Sequence, residues 1–394
     1  MAFFSMKNSR RWVADRIRKA TLLRTAFGLP SGHQPQSEFL LNSPEAKRRG
    51  ITFNLLQSST PIAQNAETVC LGDEIWPTLH EPFHHDTSSV WVAQIPRGRI
   101  LGGNIAVMTS EGVVLEDVSI DWGANQGDHR VMRQLWLPRK KRISGQVAVL
   151  ASTGSANYYH WLFDVLPRLE ILRKAGFLQN PNLSFILERP LNTFQRESLR
   201  YFGFELPRVF FLEDFPHMEC EEMILPSLPG RIGDVPPWVC DFLRSPQVGL
   251  SPTTNKKNMY FITRRKTTSR NLLNENLLLD SLASLGVQAV EPQDLPFHEQ
   301  VALFANADVI IGTHGAGLAN IVFCKSKSQV VELIPSEYRN KCYWALAANI
   351  PLRYAYIIGE PPQERLGRKE SAPFNLPESC FKSIHSFLQR TSCL

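Results

Sequence analysis

Three groups of side chains in this sequence have types and spacings that chemistry can use. The first is Ile310-Ile311-Gly312-Thr313-His314-Gly315-Ala316-Gly317-Leu318-Ala319-Asn320, an apolar run that meets a glycine-rich turn. Glycines let main chain come close to a ligand, and the uncapped N–H groups of a following helix favour an anion. His314 adds a donor for a phosphate or sugar oxygen. The spacing matches neither the dinucleotide fingerprint nor the P-loop, and an ordinary tight turn would also use Gly315 and Gly317 for packing. The second group is Tyr260-Phe261-Ile262-Thr263-Arg264-Arg265-Lys266 with Arg270. A guanidinium at the carboxyl end of a strand can grip phosphate through two parallel hydrogen bonds; a solvated basic turn is the plainer reading. Glu332, in the apolar run after the glycine turn, can accept from a ribose hydroxyl or cap the next element. The third group is Asn157-Tyr158-Tyr159-His160-Trp161-Leu162-Phe163-Asp164. On a helix, His160 and Asp164 share a face one turn apart, and a carboxylate beside an imidazole fixes its tautomer for general-base work. A structural histidine is the alternative. Tyr158, Tyr159 and Trp161 offer flat faces to a sugar.

The elements that must position these groups can be read from hydrophobic patterning. Between about 51 and 150 the chain is β-rich, with strands expected at Ser89–Ile95, Ile105–Met108 and Gly112–Leu115. From Gly145 onward strands alternate with helices, which predicts a parallel sheet covered by helices. The expected strands are 147–150, 183–187, 209–212 and 223–225, with helices at 158–174 and 193–202. After a polar linker at 245–258 the alternation restarts: strands at 259–263, 287–290, 309–311 and 330–334, helices at 274–285, 297–305 and 342–348. A last helix is expected at 377–389. The domain division that follows is a basic N-terminal arm (1–50), a β-rich then Rossmann-like domain (51–245), a second Rossmann-like domain (246–360) and a helical tail (361–394).

Composition limits the function classes. The 394 residues are 43% hydrophobic and 20% charged, ordinary for a protein with real cores. A net charge of +6, spread over a large surface, speaks against a dedicated nucleic-acid binder and against an acidic disordered chain. No run approaches the roughly 18–20 apolar residues of a membrane span, and the start lacks a secretory signal. Seven dispersed cysteines without a CxxC pair argue against a disulfide framework or a zinc site and fit a reducing compartment. His80-Glu81-Pro82-Phe83-His84-His85-Asp86 is read as a histidine-rich loop, because Pro82 breaks the helix a metal site would need. Pro138-Arg139-Lys140-Lys141-Arg142 is read as a solvated basic turn. In the arm, Trp12, Val13, Ile17 and Ala20 would form an apolar stripe if Ser9 caps a short helix, and its many cations suit the inner face of an anionic membrane.

Taken in order, Asn157–Asp164, Tyr260–Arg264, Phe297-His298-Glu299-Gln300-Val301 and His314–Asn320 resemble glycosyltransferase family 61 over about 89–359. That family includes plant xylosyltransferases, a secretory-pathway O-GlcNAc transferase and many bacterial proteins linked to capsular polysaccharide. The resemblance implies an α/β protein of GT-B type, two Rossmann-like domains facing a cleft, that moves a sugar with inversion. Its co-substrate would be a nucleotide-sugar, and its acceptor a hydroxyl on a glycan or lipid-linked molecule. By position, Arg264 and the turn His314, Gly315, Ala316, Gly317 and Leu318 would hold the donor's diphosphate, with Arg270 assisting. His160 and Asp164 would face the acceptor, with His160 as base oriented by Asp164, or Asp164 itself as base. The chain departs from the family pattern at Thr313, where proline is common, and adds charge at Arg265-Lys266. It has no Asp-x-Asp triplet, so no metal and no further cofactor is expected. A bacterial, cytoplasmic enzyme of polysaccharide biosynthesis, peripheral on the inner membrane face, is the expectation. The competing readings are a non-catalytic nucleotide- or glycan-binding protein on the same scaffold, and a nucleic-acid partner acting through Arg139–Arg142.

Overall fold

The computed structural model of the chain describes residues 24, 28–122, 124–125, 127–246, 257–362 and 368–390. Two compact units interleave along the sequence. The first takes Met1–Ser59, Ser88–Asn192 and Phe204–Pro229; the second takes Thr60–Thr87, Thr193–Gly203 and Gly230–Leu394. Both are mixed α/β.

The first unit is built on a ten-stranded sheet. Its parallel part runs, in spatial order, His217–Pro226, Lys141–Val149, Ser184–Leu187 and Val209–Phe211. Val90–Pro96 and Arg99–Leu101 pair antiparallel with His217–Pro226 and carry the shorter strands outward. Apolar residues at alternate positions, such as Ile143, Val147 and Val149 beside Met223 and Leu225, enter one core cluster. Along the chain, the two strands that follow Lys141–Val149 lie on one side of it, while His217–Pro226 returns to the other. Connectivity therefore reverses at this pair, and ligands of such sheets gather beyond the carboxyl ends of the strands there.

The second unit holds a six-stranded sheet that is parallel throughout: Gln288–Val290, Met259–Ile262, Val309–Thr313, Gln329–Pro335, Arg353–Gly359 and Glu67–Cys70. Counted from Met259, the first five strands stand in the order 2-1-3-4-5, the flavodoxin-like doubly wound order. The reversal falls between Met259–Ile262 and Val309–Thr313. All seven residues of Gln329–Pro335 are buried, as expected for a strand covered on both faces. Phe261, Ile311, Val331, Leu333, Ala355 and Ile357 share a core with the helices Glu275–Leu282 and Glu378–Arg390.

Several expectations are corrected. The arm does not extend to residue 50: Gly32–Gln34 pairs in parallel with Val113–Leu115, Ser37 bonds to Asp117, and Leu41 is buried. The expected stripe of Trp12, Val13, Ile17 and Ala20, with its cap Ser9, lies outside the described residues, as does 247–256 of the linker. The histidine-rich loop is in part a strand, Phe83–Asp86, paired with Pro61–Gln64. The basic turn runs into the strand Lys141–Val149, and Lys140 and Arg142 both reach the buried Glu219 rather than solvent alone. The helix after the glycine turn is 3-10, Ala316–Phe323, not α. No described helix is long and apolar enough to cross a membrane.

Candidate functional site

In the first unit, Asn157 starts a helical stretch, its side chain accepting from the Tyr159 amide at 2.9 Å. After Tyr158–His160 the chain widens into a π-helical segment, Trp161–Val165, before the α-helix Leu166–Lys174. Pro167 supplies the cause: it has no N–H to give to the carbonyl of Phe163, so the regular ladder cannot pass. The expected pair is formed. His160 Nδ1 lies 2.6 Å from Asp164 Oδ2, with the two side chains 15% and 8% exposed. Nδ1 is thereby committed, and Nε2 is the ring nitrogen left for proton transfer.

This pair stands at the first unit's point of reversal, and Arg168, one turn beyond Asp164, ties it there. The fully buried guanidinium donates to the carbonyls of Ala151 and Pro226, at 3.4 and 2.9 Å. Pro226 ends one of the two strands that flank the reversal, and Ala151 lies two residues past the end of the other. Burial pushes the Arg168 pKa down to about 9, against the pull of Asp164, so it remains a cation at neutral pH. The sequence reading passed over Arg168. A cation one turn from Asp164, amid the apolar residues Leu166, Leu169, Ile171 and Leu172, was the available signal.

Of the aromatic faces expected from this segment, Tyr158 stays partly exposed, and the other two are corrected. Trp161 is wholly buried and Tyr159 nearly so. The exposed ring beside His160 is Trp122, from a distant loop, with centroids 4.9 Å apart.

In the second unit the glycine turn and the arginines meet. Arg264 follows the strand Met259–Ile262 and Gly315 follows Val309–Thr313, the two strands that flank that sheet's reversal. Arg264 Nε and Nη2 donate to the Ser269 carbonyl at 3.3 and 3.0 Å. Its Nη1 rests on Gly315, where a Cβ would stand only 1.8 Å away. Burial, then the nearby positive charge of Arg270, bring the Arg264 pKa down to about 10. Its electrostatic neighbours are Arg270 and the phenol of Tyr343, not a carboxylate. Among the described residues, a half-dry cation with a second cation beside it thus has no anionic partner of the kind burial normally demands, so the site favours an anion. Arg270 lies 4.6 Å over the Tyr338 ring, and its Nε is buried without a hydrogen-bond partner.

The turn itself is held from behind. Tyr343 Oη donates to the Gly315 carbonyl at 2.6 Å, and the Leu318 amide donates to the same oxygen at 2.9 Å. Leu318 is therefore a packing residue whose amide is already used, which corrects its expected place in the ligand grip. The amides of Ala316 and Gly317, the first two of a 3-10 turn, have no carbonyl behind them. His314 is buried, with Nδ1 donating to Glu332. Tyr354 donates to the other carboxylate oxygen of Glu332, which is wholly buried. Glu332 thus orients His314, and the ribose or capping role expected for it is replaced. Tyr343 and Tyr354 were not anticipated, because neither lies near the turn in sequence. The extra charges at Arg265 and Lys266 are answered locally: Arg265 pairs with Glu275 at 2.7 Å, and Lys266 with Glu291 at 2.8 Å. Two quoted motifs also join, Asn320 donating to Gln300 at 3.0 Å inside the core.

Residues 158–331, which contain His160, Asp164, Arg264, Arg270 and the glycine turn but not Glu332 or Tyr343, match the family described as Glycosyltransferase 61. Among curated proteins, the EGF domain-specific O-linked N-acetylglucosamine transferase of Drosophila melanogaster is 37% identical over 111 residues, 27% of this chain and 21% of that protein. The protein of the same name from Gallus gallus is 36% identical over 91 residues, 22% and 17% of the two chains. The match thus spans about a fifth of the length of these curated relatives. A solved structure, the iron-containing dodecameric glycosyltransferase TibC of enterotoxigenic E. coli, aligns over 77% of this chain and 80% of its own. It does so at 12% identity and a TM-score of 0.27, too low to carry an argument. Among the described residues, no group of three or more His, Cys, Asp or Glu side chains could hold a metal ion.

Proposed function

We propose that the chain is an inverting glycosyltransferase that moves a sugar from a nucleotide-sugar to a hydroxyl acceptor. The carrying observation is the half-buried Arg264 guanidinium lying on the bare main chain of Gly315 at a sheet reversal, with no carboxylate among the described residues to answer it. A diphosphate supplies that missing charge. Arg264, Arg270 and the amides of Ala316 and Gly317 would offset the negative charge that builds on the leaving diphosphate. His160, held by Asp164, would take the proton of the acceptor hydroxyl. The acceptor oxygen then bonds to the anomeric carbon as the bond to the diphosphate breaks, and the nucleoside diphosphate leaves with that electron pair. One in-line displacement inverts the centre. A GT-B architecture, metal independence and a glycan or lipid-linked acceptor belong to this proposal. The names of the relatives add a hydroxyl on a protein as an acceptor to try.

The test is a panel of nucleotide-sugars, read by thermal unfolding and by release of nucleoside diphosphate. One donor class should stabilise the protein and be consumed, and Arg264→Ala should abolish the stabilisation. A variant that is stabilised like the parent would overturn the placement of the diphosphate. Stabilisation without release under any acceptor would favour the non-catalytic binder.

A further inference from the structure

Trp122 is 48% exposed, although it stands beside the candidate base. Its ring centroid is 4.9 Å from that of His160, the planes 43° apart. Its position is built rather than incidental. Gly154 lies under the indole with φ of +81°, where a Cβ would come 2.4 Å from Trp122 Cη2 and 3.2 Å from His160 Cδ2. Only a glycine suits both that left-handed backbone and that contact. The loop is fastened on both sides. Asp121 accepts from the Arg130 amide and Nε, each at 2.8 Å, and Arg130 also reaches the Trp122 carbonyl at 3.3 Å. Thr153 donates to the carbonyl of Ile120 at 2.7 Å.

We infer that Trp122 is a stacking platform for a pyranose ring at the His160 end of the site. The inference rests on the reading of His160 as the base. A pyranose has an apolar face of C–H groups and a rim of hydroxyls, while an indole offers an apolar face with slight negative charge. A ring laid on the exposed indole would stand beside the imidazole, whose Nδ1 is held by Asp164 at 2.6 Å and whose Nε2 is left to receive a proton. Trp122 would then place the sugar, and His160 would act on it. The glycine, the tied loop and the half-bare ring together serve that purpose; a ring needed only for the core would be covered, as Trp161 is.

Saturation-transfer NMR on the full chain, with methyl glucopyranosides and methyl xylopyranosides as probes, tests this without needing turnover. Ring C–H protons should receive saturation from the protein. Trp122→Ala should weaken binding by about tenfold or more, the scale of one lost aromatic contact. Trp122→Phe, which keeps a flat face, should retain most of it, and comparison of the two variants separates stacking from a folding defect. Displacement by a nucleotide-sugar but not by its free nucleoside diphosphate would assign the ring to the donor. Indifference to both would assign it to the acceptor; either supports the platform. The inference is overturned if no pyranoside binds, if Trp122→Ala binds like the parent, or if uridine or guanosine displaces the pyranoside, which would make the platform a base-stacking one. Pyranoside binding that depends on Trp122 in a protein that turns over no nucleotide-sugar would leave the platform standing and remove the transferase reading.

Discussion

At the scale of single residues, one contact in each unit decides what its group of side chains can do. Gly315 leaves room for the Arg264 guanidinium, and an added methyl would stand 1.8 Å from Nη1. Because that atom is the end of a flexible side chain, Gly315→Ala should displace the arginine at little cost to folding. Donor affinity should fall by about tenfold or more while the unfolding midpoint shifts little, checked by calorimetric titration and thermal melts on one preparation. Gly315 has φ of 169°, so the argument is room and not backbone strain. At the other contact, His160→Ala should keep donor binding and lose turnover by on the order of a hundredfold, the usual range for a general base. If Asp164→Asn proved far more damaging than His160→Ala, the carboxylate would be the base.

At the scale of elements, the π-helical segment Trp161–Val165 and the helix after it fix where the pair stands. Arg168 closes this arrangement by bonding to the carbonyl of Pro226, which ends one flanking strand, and to that of Ala151, just past the end of the other. Arg168→Met keeps similar bulk but leaves those carbonyls and Asp164 without their cation in a dry interior. We expect a loss of about 3 kcal/mol in stability, read from urea unfolding. A change below about 0.5 kcal/mol, the scale of an ordinary surface substitution, would contradict that role. In the second unit, the 3-10 helix Ala316–Phe323 is held in place by Tyr343 on Gly315 and by Gln300 on Asn320. Side-chain partners from two other helices thus anchor the turn while leaving its first amides uncapped.

At the scale of the whole molecule, the two units should respond to pH from opposite ends. His129 and His217, both in the first unit, are held below the ordinary histidine range chiefly by burial. The unfolded chain takes up those protons near pH 6.5 while the folded unit resists them. Their contribution is therefore full above about 6.5 and is lost as pH falls further. Glu219, pulled down by Lys140, Arg97 and Arg142 against the upward push of burial, adds to that loss at lower pH. In the second unit, burial raises Tyr343 and Tyr354 well above the ordinary phenol range. Their folded-state protons are a contribution present below about pH 10 and lost as pH rises beyond it. Hydrogen exchange, corrected for intrinsic rates, should find the first unit opening first in acid and the second first in alkali, with His217→Gln flattening the acid limb. Equal opening of both units at both extremes would contradict the assignment.

Local pattern was enough for the strand–helix alternation, because strands buried on both faces must read as short apolar runs. It was enough, too, for the His160–Asp164 pair, since helical spacing alone puts them on one face, and for placing Arg264 and the glycine turn at the carboxyl ends of two strands of one parallel sheet. What the sequence left open depended on strand order and on partners far away along the chain. The reversal of order between Met259–Ile262 and Val309–Thr313 makes those two strands neighbours. Pairing across the sheets also recruits Glu67–Cys70 to a sheet nearly three hundred residues away. Glu332 became an orienting group because Tyr354 arrives from the next strand, and Trp161 gave way to Trp122 because packing turned one indole inward and left the other bare. Hydrophobic periodicity reports which face of an element is buried, but only the assembled sheet decides which side chains from other elements meet that face.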